Sequence, residues 1–270
     1  MPEYCIDAES TSAFLWFDAI RGKDASYENS SVTLRLGEHK IICQGRCTDT
    51  KGKTVLFSTR IDAENMEEAV ESWEHIAELL LDYVSFTAGF TMALDTVVYA
   101  CEANGEKQVK HHLDQEIICY NPDYARKVLG DTINSLQSAM SSPQIRNALH
   151  YMRIAEELQR DPKLRMLMFT KALEAIIGHA RKQLPYVLNE LNIDATKDDV
   201  QRIILNLRNA SDIAHSPNDP SLLHSDFDIT QNTLMEAHEL VSHIITQAMR
   251  YVDAGNDLAK LKVSYFDNDK

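Results

Sequence analysis

No stretch of this chain is apolar over the length needed to cross a bilayer; the longest candidate, near residues 76–91, is interrupted by Glu78 and Asp82. The opening Met-Pro-Glu-Tyr lacks the positive flank and apolar run of a secretory signal. Cysteine is scarce: Cys5, Cys43, Cys47, Cys101 and Cys119 are the five, an odd number that fits reduced thiols in a cytoplasmic protein better than a secreted disulfide framework. Glycine-rich phosphate loops, a Gly-x-Ser-x-Gly elbow and a His-Glu-x-x-His helix are all missing, which excludes the common nucleotide hydrolases, serine hydrolases and zinc proteases. Positive charge is also in short supply. With 27 Lys and Arg against 41 Asp and Glu the net charge is −14, which argues against a broad polybasic surface.

What is present is a globular composition, 44% hydrophobic and 25% charged over 270 residues, enough for one large domain or two ordinary ones. The acidity is uneven. Residues 1–120 hold 21 acids and 10 bases, whereas residues 121–270 hold 20 acids and 17 bases, and within 143–182 eight bases face four acids. An anionic ligand is therefore expected to meet the second half.

Hydrophobic periodicity divides the chain in the same place. Ser31–Gly37, Lys40–Gly45 and Thr54–Ile61 alternate as strands, the last after the turn-forming Asp49-Thr50-Lys51-Gly52. Asn65–Phe86 carries Met66, Ala69, Trp73, Ile76, Leu80 and Val84 on one helical stripe, and strand patterns return at Leu94–Cys101 and Gln115–Tyr120. The second half reads as four helices. One starts at Ser142-Pro143 and runs to a break at Asp161-Pro162; the others cover Leu164–Leu184, Lys197–His215 and Thr230–Val252. The expected fold class is α+β: an N-terminal mixed domain (1–120), a linker (121–139), an all-α four-helix bundle (140–254) and a tail (255–270).

The run Leu207-Arg208-Asn209-Ala210-Ser211-Asp212-Ile213-Ala214-His215 sets an arginine and a histidine seven positions apart. On a regular helix that spacing brings both to one face, about 20° apart. A guanidinium can stabilise phosphoryl charge and an imidazole can move a proton, so the pair suits phosphodiester chemistry. The run resembles the signature of the HEPN domains (higher eukaryotes and prokaryotes nucleotide-binding), helical bundles in which an arginine, usually followed by Asn, Asp or His, precedes a histidine with four to six residues between; here six intervene. The resemblance covers roughly residues 140–254, and the helix Phe169–Ile177 is similar to the matching helix of Apea-like members.

That resemblance implies a metal-independent endoribonuclease, needing no cofactor, whose active site is composed across a homodimer. It would be a toxin or phage-defence effector acting on RNA, with no membrane partner. Arg208 would hold the phosphate and His215 would serve as general acid or base. Asn209 fills the second motif position, and Glu174 matches the helix-two glutamate that orients the arginine. The alternative is a non-catalytic HEPN-like module that binds a nucleotide or protein as a regulator.

The same residues also suit plain structural roles. Arg208 and Asp212 are spaced i,i+4 as an ion pair, and His215 can bond a free carbonyl at a helix end. Arg146, Arg153 and Arg160 recur every seven residues, either as an RNA-backbone stripe or as a solvated face. His39, Cys43 and Cys47 invite a zinc reading, but the spacing is unusual and no second ligand pair follows, so strand cysteines are expected. His111-His112 and His238…His243 lack partners at ligand spacing and read as incidental.

Overall fold

The computed structural model describes residues 1–21, 26–49, 52–89, 92–102, 108–111, 137–158, 160–178, 184–200, 203 and 229–261. The chain divides into two compact units, Met1–Ser138 and Ala139–Lys270.

The first unit is a six-stranded antiparallel sheet backed by helices. Strands β1 (Glu3–Ser10), β2 (Ser31–Leu36), β3 (His39–Thr48), β4 (Gly52–Asp62), β5 (Asp95–Glu102) and β6 (Gln108–His111) lie in the order β2-β3-β4-β1-β5-β6. Tight turns build the β2–β3–β4 meander: Gly37 at φ 63° joins the first pair, and Gly52 at φ 70° opens β4. Opposed residues fall on one face, so Leu34, Ile41, Phe57, Ile6 and Ala8 form a fully or almost fully buried layer. Helix α1 (Phe14–Ile20) and helix α2 (Met66–Ala88) cover it. Trp16 of α1 sits 6.3 Å from the Phe57 ring, and Trp73, Ile76, Leu80 and Tyr83 of α2 are sealed from solvent. Residues of β1 on the other face, Glu3, Cys5, Asp7 and Glu9, are half-buried.

At the β2 edge, the Arg35 backbone N–H donates to Gln137 Oε1 at 2.7 Å, which occupies a ladder donor that would otherwise face outward. Helix α2 starts where Asn65 caps it by accepting from the Glu68 N–H at 3.0 Å, and stops at Gly89, whose φ of 69° only glycine adopts freely.

Among its described residues the second unit contains helices and no strand. Helices α3 (Pro143–Glu157), α4 (Pro162–Ile177) and α7 (Gln231–Asp253) pack on one another, with the short helices α5 (Leu184–Glu190) and α6 (Lys197–Val200) between them in sequence. Asp161 turns the break before α4 into a start signal: its carboxylate accepts from the Lys163 and Leu164 N–H groups, and Pro162 takes the first helical position. Gly178 at φ 76° ends α4 seven residues before the periodicity suggests. Leu149, Phe169, Leu173, Ile176, Val241, Ile244 and Ile245 form the core of this unit. Beyond α7, Leu258 and Leu261 are buried, so the start of the expected tail is part of the folded unit.

No helix among the described residues is long and apolar enough to cross a membrane.

Candidate functional site

Arg208, Asn209 and His215 lie outside the described residues. What the structure gives is the short helix α6, which precedes them in sequence, and the helix that carries Glu174. At Thr196-Lys197-Asp198-Asp199 the chain forms a reciprocal cap: Thr196 Oγ1 accepts from the Asp199 N–H at 3.1 Å, while Asp199 Oδ2 accepts from the Thr196 N–H at 2.9 Å. Two amide donors are satisfied at once, which fixes the beginning of α6 at Lys197. Val200 is the first residue of the expected buried stripe and is sealed from solvent.

Glu174 sits in the last turn of α4 with its side chain only 11% exposed. The negative end of the helix dipole opposes a carboxylate there. Lys171, one turn earlier, offsets this with Nζ 3.4 Å from Glu174 Oε2. Neighbouring Leu173, Ile176 and Ile177 are buried, so Glu174 stands at the rim of the unit's apolar core and not on an open surface.

The arginine stripe is not one continuous face. Arg146 is half-buried on α3, Arg153 is buried on the same helix, and Arg160 is exposed beyond the end of α3 at Glu157. Arg153 Nη1 lies 2.7 Å from Glu157 Oε1, and its Nη2 lies 3.5 Å from His150 Nδ1. Once the helix ends, the seven-residue period no longer sets direction, and Arg153 is committed to its own helix. Arg146 and Arg160 are the two positions whose exposure suits backbone phosphates.

Sequence reasoning missed a different cluster. Glu156 of α3 lies 2.9 Å from His238 Nε2 of α7 and 3.5 Å from Arg165 Nη2 of α4, so three helices meet at one carboxylate. Arg165 is 4% exposed and also donates from Nε to the Ala155 carbonyl at 3.1 Å. The Phe169 ring lies 5.7 Å from both the guanidinium carbon and the imidazole centroid, and His238 meets it edge to face. His238 is thus not incidental: its carboxylate partner is 82 residues away in sequence. The only local signal was that Glu156, Arg165 and His238 each border an apolar stripe. With the guanidinium buried, the cluster joins helices and does not present a cation to a ligand.

The zinc arrangement also dissolves. Cys43 and Cys47 both belong to β3, four residues apart, or about 13 Å along an extended strand, too far to share a tetrahedral ion. Cys43 is buried in the core layer and Cys47 is exposed.

No family model, no curated protein and no solved structure matches this chain.

Proposed function

We propose that the chain is a metal-independent endoribonuclease of the HEPN kind, a toxin or defence effector that works as a homodimer through its helical unit. The observation that carries the reading is the Arg208–His215 run in the sequence; the short helix α6 that precedes it starts at a reciprocal cap of two hydrogen bonds between Thr196 and Asp199. Glu174 supports it, because a carboxylate held at the core rim by Lys171 is suited to orienting a guanidinium. In this mechanism Arg208 holds the scissile phosphate and offsets the charge gained in the transition state. His215 takes the proton from the ribose 2′-hydroxyl or delivers one to the leaving oxygen. Asn209 assists as the second motif residue, and Arg146 and Arg160 contact flanking phosphates.

The test is incubation of the dimeric protein with transfer RNA in EDTA, beside Arg208→Ala and His215→Ala. Cleavage by the native chain and loss of about a hundredfold or more in each variant is the expected result. Equal cleavage by all three proteins would remove this site from the reaction.

The net charge of −14 favours a second reading, a non-catalytic HEPN-like module that binds a nucleotide or protein partner as a regulator. Absence of cleavage by the native chain in the same assay would select it.

A further inference from the structure

Two cysteines far apart in sequence stand opposite one another in the strand register of the first unit. The register of β1 against β5 pairs Cys5 directly with Cys101. Directly opposed Cα atoms in an antiparallel sheet are about 4.5 or 5.5 Å apart, depending on whether the pair exchanges hydrogen bonds. Both separations fall inside the window of about 4.4–6.8 Å that a disulfide spans. Opposed residues share a face of the sheet, and Cys5 is half-buried on its face whereas the next residue, Ile6, is sealed on the other.

The other described thiols are poor partners. Cys43 lies in the buried core layer, on the opposite face from Cys5. Cys47 pairs with Lys53 whereas Cys5 pairs with Arg60, so along β4 they are seven residues, or about 23 Å, apart.

We propose that Cys5 and Cys101 are a redox-closed pair: separate thiols under reducing conditions, a cross-strand disulfide under oxidising ones. With hydrogen peroxide as oxidant, one thiolate attacks a peroxide oxygen, the O–O bond breaks, and a sulfenic acid and one water result. The second thiol then attacks the sulfenic sulfur, and the S–O bond breaks to release a second water. Two electrons pass from the two sulfurs to the peroxide. A thiol reductant reverses the bond by exchange. The link closes a loop of roughly 95 residues. It ties the β5–β6 ribbon, which the chain reaches only after crossing α2, to the strand at the middle of the sheet.

The experiment uses the full chain, reduced and desalted, then treated with hydrogen peroxide or with the azo oxidant diamide. Remaining thiols are alkylated after denaturation and counted by intact mass, and linked peptides are mapped under non-reducing conditions. Two of the five thiols should disappear, return on treatment with dithiothreitol, and map to a Cys5–Cys101 peptide; Cys5→Ser and Cys101→Ser should each prevent the loss. Retention of all five thiols, or a link mapped to Cys43, Cys47 or Cys119, would overturn the proposal. Mapping on the native chain decides it even where a variant fails to fold.

Discussion

The Glu156 carboxylate is a point where three helices of the second unit come together. Two other helices bring Arg165 and His238 to its nearly buried carboxylate, and the environment that makes such contacts strong also makes a missing partner costly. Glu156→Gln removes the charge but not the volume and takes away the carboxylate 3.5 Å from the buried Arg165 guanidinium. We expect chemical denaturation to show a loss of about 3 kcal/mol. A Glu156→Leu, Arg165→Met double variant should recover much of it, because replacing a whole buried pair by apolar groups is close to neutral. A second residue-scale constraint is Gly45. A Cβ there would stand 2.3 Å from the Tyr27 carbonyl oxygen and 2.9 Å from a Phe17 ring carbon. The first obstacle is backbone, so Gly45→Ala should lower the thermal midpoint of the first unit by several degrees, corresponding to about 1–3 kcal/mol of overpacking. Tyr83 gives a pH signature. Burial, followed by its Cys43 neighbour, raises its phenol above the ordinary 10.0. The folded state then holds this proton more tightly than the unfolded chain. Its contribution is complete below the unfolded value and is lost as pH rises beyond it, so denaturation midpoints should fall as pH climbs above about 10 while phenolate absorbance lags.

Among elements, α2 shows what a sequence pattern can and cannot convey. Its stripe and, to within about two residues, its extent were legible because a 3.6-residue period over more than five turns overrides local ambiguity. Asn65→Ala should cost the first unit about 1 kcal/mol in denaturant titration, since the Glu68 amide loses its acceptor. Strands β2, β3 and β4 were legible from alternation. Strand β1 was not: its inward residues Tyr4, Ile6 and Ala8 alternate with Glu3, Asp7 and Glu9, and so many carboxylates conceal a central strand. α1 was missed because seven residues give too few turns to show a period. The expected single helix over Leu164–Leu184 ends at Gly178, where a φ of 76° carried more weight than the continuing apolar pattern. Gln115–Tyr120, expected as a strand, lies outside the described residues, as does most of Lys197–His215. Side-chain partners across the fold were the least legible. Nothing local links Glu156 to His238, because tertiary packing alone brings α3 to α7.

For the whole molecule, the distribution of charge frames function more than its sum. The acidic excess lies in residues 1–120, while the helical unit is nearly balanced and holds Arg146 and Arg160 at accessible positions. Association with RNA through so few cations should weaken only modestly with salt, with a slope of log affinity on log salt of about −1 to −3. Arg160→Glu should weaken RNA binding while Arg153→Ala acts mainly on stability, since Arg153 is bound to Glu157. Filter binding across a salt series separates the two.

The most direct measurement of the central claim is the chemistry of the RNA ends after digestion in EDTA. If His215 and Arg208 drive attack by the 2′-hydroxyl, the native chain leaves a 2′,3′-cyclic phosphate on one fragment and a 5′-hydroxyl on the other, and His215→Ala loses about 10²- to 10⁴-fold in rate. A 3′-hydroxyl beside a 5′-phosphate, or cleavage that survives His215→Ala undiminished, would contradict the account.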